Sequence, residues 1–333
     1  DANGPETNTI GTLTAGVEYY ILVDAESTAS VTHTFQINCP CPDATISYSG
    51  SPYCQNAGTA NVTLTGSAGG TYSSTAGLNI NAATGAVTLG TSTPGTYTVT
   101  YSIAAAGSCP LFTTTASITV NPTPNAIATP AIQTICSGAT ITPIVLTSGV
   151  VGTTYTWTRD NTAGVTGIPG NGVGNISGTL TNITAAPITV TFTITPTANG
   201  CPGPTSTATV LVNPTPNAVA TPSAQSICNA SAITPIVLTS TTAGTTYAWT
   251  RDNNATVTGI AASGSGTPIT GTLTNTTNAP VTVTFTITPT ANGCPGPSTT
   301  ATVIVQPTAT VDQPVNQTVC TGTPTAAVNF TSP

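Results

Sequence analysis

The chain has no lysine, no methionine and a single histidine, and charged side chains make up 3% of its 333 residues; an ordinary soluble protein carries about 25%. Without lysine it cannot form the Lys–Asn isopeptide bonds that reinforce some stalk domains. His33 stands without a partner cluster, and no Gly-rich nucleophile motif or CxxC pair is present. Catalysis is therefore not expected, nor is a cofactor or a resident metal. Nine acids against two arginines give a net charge of −7, the wrong sign for nucleic acid and too dilute for an acidic face. No run of 18 apolar residues could span a bilayer, so direct membrane insertion is not expected.

What is present repeats. Residues 153–161 (TTYTWTRDN) return at 245–253 (TTYAWTRDN), so the only two tryptophans, Trp157 and Trp249, and the only two basic residues, Arg159 and Arg251, occupy equivalent places 92 residues apart. The sequence TVTFTITPTANGCPGP at 189–204 recurs letter for letter at 282–297. Cys136, Cys228 and Cys320 fall at the same 92-residue step. A fixed period of this size marks a tandem array of small domains.

The expected organisation is residues 1–38 as the closing strands of a preceding β-sandwich, Ig-like units at 39–121, 122–213 and 214–305, and the start of a further repeat at 306–333. Because the sequence opens abruptly at Asp1 and stops in mid-repeat, it is expected to be a segment of something longer. In residues 189–195 every second side chain is apolar, which sends Val190, Phe192 and Ile194 to a core and leaves threonines facing water. No segment has a helical period. Several short strands per ~90 residues, with turn signals between them, one tryptophan and one cysteine pair, predict tandem antiparallel β-sandwiches of immunoglobulin-like type, arranged end to end. The linkers Asn121-Pro122-Thr123-Pro124-Asn125 and Asn213-Pro214-Thr215-Pro216-Asn217 are expected to be semi-rigid joints.

Nine cysteines fall at like positions in the units and read as a disulfide framework of an oxidising compartment. The spacing suggests one bridge inside each unit: Cys54 with Cys109, Cys136 with Cys201, and Cys228 with Cys294. Cys320 would pair with a cysteine of a following repeat. Cys39 and Cys41 would bridge each other or reach the preceding domain.

The units resemble the Ig-like and PKD-like repeats of very large Bacteroidetes cell-surface proteins, among them gliding-motility adhesins exported by the type 9 system. The resemblance rests on the strand at 152–157, the turn Ala198-Asn199-Gly200-Cys201, and the stretches 73–78 and 94–101. Residues 13–24 are similar to the closing strands of bacterial pre-peptidase C-terminal domains. The resemblance implies a secreted, surface-attached extension.

Arg159 shares the parity of Tyr155 and Trp157. It is expected to cap the core and bind loop carbonyls or a nearby carboxylate, with Asp160 beside it; Arg251, Asp252 and Trp249 repeat the arrangement. All six residues are read as structural. The alternatives are a sugar-stacking platform on the aromatic residues, glycan binding by the variable loops 167–178 and 259–271, calcium between units, and a filament in which a terminal strand completes a neighbour's sandwich. Asn61, Asn182 and Asn254 fit the N-glycosylation pattern, which chance explains in so Asn- and Thr-rich a chain. The function these observations favour is a non-enzymatic structural segment of an extracellular adhesin, stalk or fibre. Its partners would be neighbouring domains of one long chain, other copies in a filament, or surface glycans.

Overall fold

The computed structural model describes residues 40–107 and 109–331, and the chain divides into compact units of residues 1–42 and 43–333. The closing strands expected within residues 1–38 lie outside the described residues. So do Cys39 and His33.

Threonine alternating with aliphatic residues favours extended backbone and gives each strand one wet and one dry face. In Ile188–Ala198, Val190, Phe192 and Ile194 have no exposed surface, and Ala208, Val210 and Val212 of Ser206–Asn213 are equally buried beside them. Burying each such side chain contributes about 1.5–3 kcal/mol. Among the described residues the chain is all-β apart from one 3-10 turn, Leu89–Thr91. Three separate apolar clusters form, around Tyr101 and Ile118, around Trp157 and Phe192, and around Tyr247 and Phe285.

The middle sandwich shows the plan. One sheet runs in the order Ile132–Cys136, Ser206–Asn213, Ile188–Ala198, Thr154–Arg159, Asn171–Val173. Facing it are Ala139–Thr140, Thr179–Asn182 and Val165–Gly167, together with the pair Ile127–Thr129 and Val145–Thr147. The third sandwich repeats this with Ala224–Ile227, Thr299–Val305, Val281–Ala291, Thr246–Arg251 and Ser263–Ser265. The first is smaller, with a main sheet of Tyr53–Cys54, Phe112–Asn121, Gly95–Ile103 and Thr71–Ser74.

Among the described residues all pairings are antiparallel except one in each sandwich, where an edge strand runs parallel to the last strand: Tyr53–Cys54 on Phe112–Asn121, Ile132–Cys136 on Ser206–Asn213, Ala224–Ile227 on Thr299–Val305. That pairing sets Cys54 opposite Asn121 and Cys136 opposite Asn213. Each unit therefore carries its first cysteine beside its own exit linker. The linkers are not solvated spacers, since Pro124, Asn213, Pro214 and Pro216 are all buried.

Candidate functional site

The feature with no counterpart in a single sandwich is the joint between two of them. It begins with a two-residue hairpin. Asn199 and Gly200 have φ of 50° and 76°, the left-handed values that an Asn-Gly turn adopts, and they connect Ile188–Ala198 to Cys201–Pro202 with Ala198 opposite Cys201. The turn thus presents the Asn199 carbonyl and the Cys201 side chain together. Gly203 follows, and a Cβ there would lie 1.8 Å from the Pro124 carbonyl oxygen, so only glycine lets the linker lie against the turn.

The first sandwich grips this turn at three points. Cys54 is disulfide-bonded to Cys201, with Cα atoms 5.4 Å apart. The Asn121 amide donates to the Asn199 carbonyl at 3.2 Å, and the Asn56 amide donates to the Pro202 carbonyl at 3.0 Å. The next joint repeats the arrangement, with Cys136 bonded to Cys294 at a Cα separation of 5.5 Å and Asn213 donating to the Asn292 carbonyl at 3.3 Å. Asn292 and Gly293 have φ of 50° and 76°, and a Cβ at Gly296 would again meet the Pro216 carbonyl at 1.8 Å.

These bonds correct the pairing expected from spacing. Cys136 is bonded to Cys294 and not to Cys201, Cys54 to Cys201 and not to Cys109, and Cys228 is a free, exposed thiol and not the partner of Cys294. The reason is the length of one strand. Cys136 lies opposite Asn213, next to the residues that pair with Ile188, whereas Cys201 follows Ala198 at the far end of Ile188–Ala198. Ten residues of strand span ~33 Å, and a disulfide needs Cα atoms within about 7 Å. Cys136 is the last residue of Ile132–Cys136. Cys41 and Cys109 are both disulfide-bonded, and Cys320 is a free, exposed thiol.

The two strand-end arginines sit inside. Arg159 is 9% exposed and donates from Nε to the Ile168 carbonyl at 2.6 Å and from a terminal nitrogen to the Val165 carbonyl at 3.0 Å. Arg251 is 7% exposed and donates from Nε to the Ile260 carbonyl at 2.8 Å. Burial lowers both guanidinium pKa values from the usual arginine value, and the adjacent Asp160 and Asp252 work against that shift. The carboxylates themselves face a neighbouring strand, where Asp160 accepts from the Thr191 amide and Asp252 from the Thr284 amide, each at 2.7 Å.

Trp157 packs edge-on to Phe192 and Trp249 edge-on to Phe285, with ring centroids 5.7 Å apart in each pair. Gly172 and Gly264 lie so close to the indoles that a Cβ would come within 2.2 and 2.3 Å of the ring. Strand Asn171–Val173 therefore lies against the Trp157 indole, which is 7% exposed. A groove of about 300 Å³ is lined by Trp157 together with Thr156, Thr158, Asn171, Thr193 and Thr195, without a charged group. Asn182 is buried and donates to the Ala186 and Val212 carbonyls, so its amide is not available to a glycan.

Among the described residues no group of three His, Cys, Asp or Glu side chains is placed to hold a metal ion, and no helix is long and apolar enough to cross a membrane.

Comparison with known proteins gives one family. Residues 133–216 and 225–309 each match the PKD-like domain. Among solved structures, a segment of titin immunoglobulin domains I67–I69 aligns with 76% of this chain and 93% of its own, at 11% identity and a TM-score of 0.42. Mouse cadherin-23 EC22–24 aligns with 80% of this chain and 98% of its own, at 13% identity and 0.34. Protocadherin gammaB7 EC3–6 aligns with 88% and 84%, at 13% and 0.38. No curated protein matches the sequence.

Proposed function

Since the chain belongs to the PKD-like domain family, we propose that it is a structural segment of an extracellular surface adhesin, stalk or fibre, built from domains at 39–121, 122–213 and 214–305 that are bonded to one another. One observation carries this reading: each described bridge runs from the exit of one sandwich to the turn of the next, at the same place in both joints. A bridge placed there does not reinforce a single core; it fixes one domain on its neighbour. Bonds of this kind persist outside the reducing cytosol. A surface whose polarity comes from Thr, Ser and Asn is also nearly indifferent to salt and pH.

Arg159, Asp160, Trp157 and their counterparts Arg251, Asp252 and Trp249 serve the sandwiches and not a ligand: the arginines and aspartates bond backbone groups, and each indole packs edge-on against a buried phenylalanine. A filament made by strand exchange would need a sheet edge filled by another chain. In both complete PKD-like copies every strand comes from the copy's own stretch of sequence. The gliding-adhesin assignment rests on the sequence resemblance alone, and glycan binding by loops 167–178 and 259–271 has only their variability behind it.

The test is one of place. In the cells that make the protein, an antibody raised against residues 122–305 should label intact cells or the medium. Labelling confined to permeabilised cells would overturn the reading.

A further inference from the structure

Cys228 ends up where Cys54 and Cys136 are, yet it is a free thiol. It follows Ala224–Ile227, which pairs in parallel with Thr299–Val305, as Ile132–Cys136 pairs with Ser206–Asn213. Its neighbour across the ladder is Gln306, whose backbone amide donates to the Ile227 carbonyl at 3.0 Å. Gln306 thus stands where Asn121 and Asn213 stand, each of which donates its side-chain amide to the carbonyl of an incoming turn. Here that amide rests on the Ser226 hydroxyl at 3.2 Å.

From this we infer that Cys228 and Gln306 form a vacant covalent receptor for an Asn-Gly-Cys-Pro turn of a further PKD-like sandwich. Two equivalent positions in the same chain, both occupied by such a turn, support the assignment independently of the thiol itself.

The occupant is defined by exclusion as well as by likeness. Cys201 and Cys294, the turn cysteines of the two complete copies, are already bonded and nearly fully buried, and Cys109 is bonded too. A second copy of this sequence therefore has no turn thiol among these to offer. Cys320 is of the strand type. Its neighbour Gln317 clasps Ala326 through both ends of its amide, as Gln133 clasps Thr142 and Gln225 clasps Thr234. In both described joints a strand cysteine pairs only with a turn cysteine, so Cys320 is not the mate of Cys228. It is the next receptor of the same kind.

Bond formation is an ordinary oxidation. The two thiols join as a disulfide and give up two protons and two electrons to a small-molecule disulfide, which leaves as two thiols.

The experiment inserts a second copy of residues 214–306 between Gln306 and Pro307 and maps the bridges after alkylating free thiols in the native state. The expected result is a bond between Cys228 and the inserted copy of Cys294, with alkylation at Cys228 lost and alkylation appearing at the inserted copy of Cys228. The Cys54–Cys201 and Cys136–Cys294 bridges, unchanged, report that the rest of the array has folded. A bond inside the inserted copy, or Cys228 still alkylated with both upstream bridges intact, would overturn the inference. Neither outcome bears on where the protein resides, so the proposed surface role stands or falls separately.

Discussion

Cys136 and Cys201 belong to the same sandwich and lie at its opposite ends, so each is bonded to a neighbouring sandwich instead of to the other. The bridges span 147 and 158 residues and overlap in sequence. In the chain-entropy model, closing a loop of that length restricts the unfolded chain by about 5 kcal/mol.

The overlap sets how far the array can be stretched. From Cys54 the shortest covalent route to Cys294 crosses to Cys201, runs back through the middle sandwich to Cys136, and crosses again. That route contains only ~65 residues, about 230 Å when fully extended, against about 840 Å for the ~240 residues of the reduced chain. Single-molecule pulling between these two positions should therefore show a several-fold gain in length when reductant is added. Equal lengths in the two states would contradict the bridging.

Arg159→Ala removes the donor that serves the buried Ile168 and Val165 carbonyls. Leaving them unpaired should cost roughly 2–4 kcal/mol in the middle sandwich, read as a lower midpoint in denaturant. Arg159→Lys should recover little, because an ammonium cannot reproduce the forked geometry. A stable Arg159→Ala protein would mean the guanidinium is not holding those loops.

Trypsin offers a second view of the same residue. With no lysine, it can cut only after Arg159 and Arg251, both buried strand residues. The native protein should resist trypsin under conditions that cleave the denatured chain rapidly. Prompt cleavage of the native form would indicate that these strand ends open.

Alkaline pH should loosen the first sandwich. Burial, with smaller contributions from Tyr72 and Tyr53, pushes Tyr48 up to about 12, and its hydroxyl donates to the Gly85 carbonyl at 2.6 Å. A raised value means that the fold favours the neutral phenol. The contribution is complete below about pH 10, the unfolded value, and is lost as pH rises toward 12. With free thiols blocked, thermal stability should be flat through neutrality and fall above about pH 10, and Tyr48→Phe should flatten that fall. A decline beginning below pH 9 would point to another group.

Much of this was legible in the sequence. The alternation at Val190, Phe192 and Ile194 marked a buried face, and the parity of Arg159 with Trp157 placed its guanidinium inward, where it lies. The cysteine pairing was not legible from spacing, because a 92-residue period is the same whether a unit bonds itself or its neighbour. The deciding signal was the strand between the cysteines. Residues 188–198 are all extended, so Cys201 in the Asn-Gly turn and Cys136 beside the exit linker had to be a strand's length apart. The clamp residues Asn121 and Asn213 were visible only as linker composition; their role depends on the turn that the following unit brings.

The most direct test uses the missing lysines. Cys136→Ser protein, alkylated and then denatured without reduction, is cut by trypsin after Arg159 and Arg251 and the fragments are weighed. Bridging between sandwiches predicts residues 1–159 still joined to 160–251 through Cys54 and Cys201, with 252–333 released. If 160–251 is instead found joined to 252–333 and 1–159 is released, each sandwich closes on itself and the account is wrong.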